Sequence, residues 1–185
     1  MNGKVLVMKN WCETDIESLA GKLRKKYAEK TSQAATGNVD ALDLALRLGG
    51  RVEYVPFIGC GAETLIIDET THKDASGKWC NIGFRIRVEK DTPRRHQNLK
   101  IARELGHFFL HFLKDDGQDK VFRRVSYAED DRQREATRFA LALLMPQEEC
   151  MTQYKTNNGD LISVSDVFDV PIVAAEVRAK MLGVR

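Results

Sequence analysis

Two segments with apolar residues at helical spacing dominate the second half of the chain and limit what it can fold into. Behind Pro93, which suits the first position of a helix, Leu99, Ala102, Gly106, Phe109, Leu110 and Leu113 recur with a period that predicts a long helix over residues 94–113. Asp115 to Ser126 reads as a polar connection. A second strong helix is predicted over residues 129–145, closed by Pro146. Each helix has an apolar face that must be buried against the other or against a sheet.

The rest of the chain supplies the sheet and more helices. Thr14 with Glu17 has the pattern of a capping box, and Ile16, Leu19, Leu23 and Tyr27 form one stripe, so a helix is predicted over residues 14–30. Thr31 to Asn38 reads as a loop. Asp40 caps a short helix that Gly49 and Gly50 end. Arg51 to Phe57, Thr64 to Asp68 and Trp79 to Lys90 read as strands, the last alternating Ile82, Phe84, Ile86 and Val88 with polar neighbours; His72 to Lys78 reads as a turn. The tail gives Leu161 to Phe168, a break near Val170–Pro171, then Ile172 to Leu182, with Gly183 as a stop. The expectation is a single α+β domain: a small three-stranded antiparallel sheet packed against long helices, with a short helical C-terminal tail. Its parts are an N-terminal helix and linker (1–37), a core (38–150) and the tail (151–185).

Composition excludes several classes. Apolar residues are 43% and charged residues 30%, which fits a globular protein rather than a disordered one. A formal net charge of +2 gives no overall field toward nucleic acid or an anionic membrane. No stretch approaches the ~20 apolar residues of a membrane span, and the apolar run near the N-terminus is too short for a signal peptide. Cys12, Cys60, Cys80 and Cys150 form no CxxC pair. They read as reduced thiols of a cytoplasmic protein, with one long-range bridge left open.

The chemistry concentrates in Arg103-Glu104-Leu105-Gly106-His107 and the following His111. Residues four apart on a helix share a face, about 40° apart. The HExxH pattern of zinc peptidases uses this: two His bind the metal and the Glu after the first activates its water. Glu104 and His107 occupy the Glu and second His positions, and Arg103 stands at the first. Glu135 opens the second long helix, where a carboxylate completes many His-based zinc sites. Read without that context, Glu104 is a surface acid, His107 a core-edge histidine, and Glu135 a helix-start acid favoured by the dipole.

Together the two segments resemble the ImmA/IrrE family of zinc metallopeptidase-like proteins. The family's pattern is a basic lead-in, HELGH with a further His nearby, an E-A-x-x-F-A-x-x-L-L-M-P helix and a short helical tail. This chain has a lead-in from Pro93-Arg94-Arg95 to Lys100, ELGHFFLH from Glu104, EATRFALALLMP from Glu135, and a similar tail from Asp160 to Gly183. With the helix-then-strand opening DALDLALRLGGRVEYVPF, the resemblance covers residues 38–183. It implies a zincin-like fold, His107 and Glu135 as zinc ligands and Glu104 as general base. It also implies a role in bacterial or phage gene regulation, often on mobile elements, in which the protein cuts or antagonises a repressor of the helix-turn-helix type.

Arg103 breaks that pattern. Its guanidinium cannot be deprotonated and offers no lone pair. Two outcomes follow. In the preferred one no zinc is tightly bound, Arg103 replaces the cation by pairing with Glu135 or Glu104, and hydrolysis is weak or absent. The protein then binds a regulatory partner as a pseudoenzyme of hydrolase fold. In the other, His111 substitutes, and an active peptidase binds zinc through His107, His111 and Glu135, with the metal moved by about 6 Å along the helix. His72 and His96 read as solvated, His96 with some prospect of touching a ligand, and Trp11 and Trp79 as packing. Arg94, Arg95, Lys100 and Arg103 read as a charged helix face in preference to a nucleic-acid patch. The tail, which carries only Arg178 and Lys180 on its last helix, reads as packing or docking surface.

Overall fold

The computed structural model describes residues 11–31, 38–56, 64–68, 70–113, 121–123 and 131–184. Local signals account for much of the element order. Helix α1 spans Glu13–Thr31, α2 spans Ala41–Arg47, and Asp40 caps α2 by accepting from the Leu42 and Asp43 amides. Strands β1 (Gly50–Val55) and β2 (Thr64–Ile67) follow, then a small hairpin of β3 (His72–Lys73) and β4 (Trp79–Cys80), then β5 (Phe84–Glu89). Helix α3 covers Arg94–His107 and runs directly into a π-helical turn over Phe108–Phe112. A short strand β6 (Val121–Arg123) precedes α4 (Asp131–Leu144), α5 (Gln147–Thr156), α6 (Leu161–Phe168) and α7 (Ile172–Met181). Pro93, Pro146 and Pro171 each stand immediately ahead of a helix with ψ of 145°, so each sets an entry direction rather than occupying the first turn.

The sheet departs from the expected three antiparallel strands. It has four, in the order β1-β5-β2-β6, and it is mixed. β1 and β5 run parallel from Gly50↔Phe84 to Val55↔Glu89, and β2 lies antiparallel to both β5 and β6. The cause is topological. β2 and the hairpin intervene between β1 and β5, so the chain returns to β1's edge in the same direction, as parallel neighbours require. β5 takes the centre because its inward residues Phe84, Ile86 and Val88 are all fully buried. Gly50 lies under the Phe84 ring, where an added Cβ would come within 2.3 Å. The expected single strand from Trp79 to Lys90 is interrupted at Asn81, whose φ is 48°. β6 is three residues inside a polar connection, too short to show a period.

Three further differences have local causes. The capping box at Thr14 does not form. The helix begins one residue earlier, the Cys12 carbonyl accepts from the Ile16 amide, and Glu17 is engaged elsewhere. α5 went unpredicted because Cys150 is its one buried residue, which leaves no apolar stripe. The helix expected to run to residue 113 widens into the π turn.

α3 packs on β2 and β5 on one side and on α4 on the other, and α1 covers α4. A helix between two layers is buried nearly all round, and in α3 Ile101, Ala102 and Glu104 to His107 are all buried. The approach to α4 is close. A Cβ on Gly106 would lie 2.9 Å from both Cα and the carbonyl oxygen of Ala136, and 3.2 Å from the Phe139 ring. The end of α4 is held by two arginines from other helices. Arg24 donates to the Leu143 carbonyl at 2.9 Å. Arg178, fully buried, donates to the Met145 carbonyl at 2.9 Å and grips Glu17 with both terminal nitrogens at 2.5 and 3.0 Å. These bonds satisfy carbonyls that a helix end leaves without partners.

Gly106→Ala tests the helix contact with opposing signs. Helix propensity favours Ala by about 1 kcal/mol, whereas overpacking costs about 1–3 kcal/mol. The expected outcome is net destabilisation in urea unfolding, because the obstruction includes Ala136 backbone, which cannot swing aside. A neutral or stabilising Gly106→Ala would remove the tight crossing from the account.

Candidate functional site

Four ionisable side chains are buried where α3, the π turn and α4 meet: Glu104, His107, His111 and Glu135 are 3%, 2%, 4% and 7% exposed. Buried polar groups need hydrogen-bond partners, and His107, His111 and Glu135 find them in one another. His107 Nδ1 lies 3.0 Å from His111 Nδ1, and His111 Nε2 lies 3.0 Å from Glu135 Oε2. The other Glu135 oxygen accepts the Trp11 backbone N–H at 2.6 Å, and the Trp11 indole N–H donates to the Leu110 carbonyl at 3.0 Å. The result is a continuous chain from His107 through His111 to Glu135 and Trp11, two residues ahead of α1.

The proton order follows from donor and acceptor rules. An ionised Glu135 can only accept, so His111 Nε2 carries a hydrogen. A neutral His111 then accepts at Nδ1 from His107 Nδ1–H, and a cationic His111 donates at both nitrogens. Either way His111 is oriented at both ends of its ring.

The π turn makes this contact. In an α-helix four residues overshoot one full turn by about 40°. The wider i→i+5 turn, closed by Leu113 N–H to the Phe108 carbonyl at 3.0 Å, takes more residues per turn and brings positions four apart closer to alignment. Two neighbouring pairs register it. The His107 and His111 rings lie 5.0 Å apart, and the Phe108 and Phe112 rings stack 5.9 Å apart at 20°. The apolar spacing of this stretch suits an ordinary helix as well, so the wider turn leaves no mark in the pattern.

The donor set can be tested against zinc. A structural or catalytic zinc needs at least three lone pairs converging on one point. His111 meets His107 with one nitrogen and Glu135 with the other, and the two nitrogens face away from each other across the ring. One ion therefore cannot bind His111 and take both partners as ligands in this arrangement. Among the described residues no three His, Cys, Asp or Glu groups are placed to hold a metal ion. Arg103 has no lone pair to offer, and its Nε lies 3.7 Å from Glu104 Oε1. As arranged, these residues do not fit a three-ligand zinc centre.

The remaining sequence candidates fall elsewhere. His72 is exposed, with Nδ1 2.8 Å from the Thr70 carbonyl oxygen, and His96 is exposed at the rim of a separate small cavity. Trp11 does more than pack: its backbone N–H donates to Glu135, a bond to a residue 124 positions away that leaves no trace in a motif. The Trp79 side chain lies outside the described part of the structure. The basic lead-in is internally paired: Arg95 bonds Asp166 and Asp169 at 2.7 and 2.8 Å, Lys100 lies 3.1 Å from Glu89, and Arg94 lies 3.9 Å from Asp40. Arg178 is core. Cys12, Cys80 and Cys150 are free thiols, and Cys60 lies outside the described residues. No helix of the described residues is long and apolar enough to cross a membrane.

A family model described as the IrrE N-terminal-like domain, of the M78 peptidases, matches residues 63–180. The chain belongs to this family. The matched span runs from just ahead of β2 to the end of α7 and contains Glu104, His107, His111 and Glu135. It begins later than the resemblance read from the sequence, leaving α2 and β1 outside. No curated protein matches the chain. Family membership establishes a metallopeptidase-like α+β domain.

Removing the carboxylate tests the Trp11 contact. Glu135→Ala leaves the Trp11 amide and His111 Nε2–H without their acceptor, at about 1–3 kcal/mol per buried group. In a Trp79→Phe background, Trp11 emission is expected to shift to the red as the segment ahead of α1 loosens. Unchanged emission with unchanged stability would show that Glu135 does not hold Trp11.

Proposed function

We propose that this chain is an M78-family protein whose zinc centre has been replaced by hydrogen-bonded side chains, and that it acts by binding a regulatory protein. The partner is a repressor of the helix-turn-helix type, in bacterial or phage gene regulation. The observation that carries the reading is the placement of His111, with His107 on one ring nitrogen and Glu135 on the other. Metal-assisted hydrolysis needs a Lewis acid to acidify water. The side chains that would surround such an ion are committed to one another, and Arg103 brings a permanent positive charge beside Glu104. Replacing an ion by a cationic side chain keeps the charge balance of a buried carboxylate. What is left is a rigid surface of peptidase shape. A partner would be held there intact, and the repressor would lose its operator by sequestration, not by cleavage.

Metal content after purification without chelators is the direct test. The native protein is expected to carry well under one zinc, and Arg103→His, which restores a His at the broken position, is expected to approach one equivalent. A full equivalent in the native protein, lost on His111→Ala, would overturn the proposal and favour a working peptidase using His107, His111 and Glu135. The second half is checked by mixing the chain with candidate repressors bound to operator DNA. Release of the operator with the repressor intact on a gel is expected, and cut repressor would count against sequestration.

A further inference from the structure

On one side the sheet ends at β1. Among the described residues β5 is its one strand neighbour, and its other edge carries no strand. The ladder fixes which way each backbone group points. Lys90 N–H donates to the Val55 carbonyl at 2.9 Å, so Val55 faces β5, and by the two-residue period of a strand so do Glu53 and Arg51. Gly50, Val52 and Tyr54 therefore turn their N–H and C=O groups outward. Proteins blunt such an edge with bulges, internal prolines, very short strands or charged side chains. β1 pairs with β5 over six consecutive residues without a break, so charge is what guards it. Arg51 and Glu53 lie on the outer face in register with Arg85 and Arg87, whereas Val52 and Tyr54 share the inner face with Ile86 and Val88. Tyr54 is 46% exposed at this edge.

These side chains select the strand that fits. Opposite charges directly across a strand pair stabilise it, and like charges oppose it. A second copy laid antiparallel about Val52 sets Val52 against the partner's Val52 and Tyr54 against the partner's Gly50, in pairs that exchange both backbone bonds. The pairs between them, where side chains come closest, set Arg51 against the partner's Glu53 and Glu53 against the partner's Arg51. Sliding the copies by two residues is the smallest shift that keeps the outward groups paired. It sets Arg51 against the partner's Arg51 in one direction and Glu53 against the partner's Glu53 in the other. Arg51 is exposed, and none of the ion pairs among the described residues engages it. Glu53 holds Arg87 at 3.1 Å and Arg85 at 3.4 Å through exposed pairs, and its carboxylate has lone pairs for a further donor. We propose that β1 is a self-association edge, on which a second copy of this chain adds its own β1 antiparallel in the register set by Arg51 and Glu53. The contact is small, which makes the dimer weak and reversible.

The test is sedimentation of the full chain over a concentration series. The mean mass is expected to rise from one chain toward two between about 1 µM and about 500 µM. Arg51→Glu sets like charges opposite each other at both crossings, and Glu53→Arg does so with the other sign. Each variant alone is expected to associate about ten-fold or more weakly. Their equimolar mixture restores opposite charges at both crossings and is expected to recover the native association. Val52→Pro removes the central outward donor and leaves the β5 ladder its bonds, as prolines on edge strands do, and it is expected to weaken association as well. Thermal unfolding reports whether each variant folds, and Arg51→Glu, at an exposed position, is expected to leave it unchanged. A chain still monomeric at about 500 µM, a dimer indifferent to Arg51→Glu, or a mixture no tighter than its two components would each overturn the proposal.

Discussion

The structure depends on how closely α3 and α4 approach each other. Gly106 faces the backbone of Ala136 at a distance that admits no side chain. This brings the helix bearing His107 and His111 against the start of the one bearing Glu135. A larger residue at the crossing would push the two helices apart. The hydrogen bond of 3.0 Å between His111 and Glu135 would be among the first losses, because its length tolerates little displacement. Burial follows from the same contact. α3 lies between the sheet and α4, so Glu104 and His107 have little water to turn to and need partners within the protein.

Other elements hold that geometry from outside. Arg24 from α1 and Arg178 from α7 both donate to carbonyls at the C-terminal end of α4, and Arg178 also locks Glu17 of α1. Removing one partner of such a buried pair costs far more than the pair contributes, because a charge is stranded in the core. At the other end of α4, Trp11 occupies one oxygen of Glu135. The chain thus covers its own carboxylate.

Local signals in the sequence made part of this legible. The cap at Asp40, the bounds of α6 and α7 and the alternation of β5 all arise within a few residues, and the pattern shows each of them. The pairing of ELGH with EAxxFAxxLLMP located the residues that meet at the site. Less legible were features whose cause is distant or spread out. Glu17 looked like half of a capping box because its true partner, Arg178, lies 161 residues away. α5 has no stripe to read. β1 and β5 became parallel neighbours through a crossover that strand patterns cannot reveal.

By itself, the sequence determined an α+β domain of a peptidase family and the placing of Glu104, His107, His111 and Glu135 on two helices, with the cationic Arg103 directly ahead of Glu104. Residue type and helical spacing settle these. Only the tertiary structure decided how His107, His111 and Glu135 face one another. The widened turn and the Gly106 contact set His111 between His107 and Glu135. They do so through packing between elements far apart in the chain, to which a local period is blind.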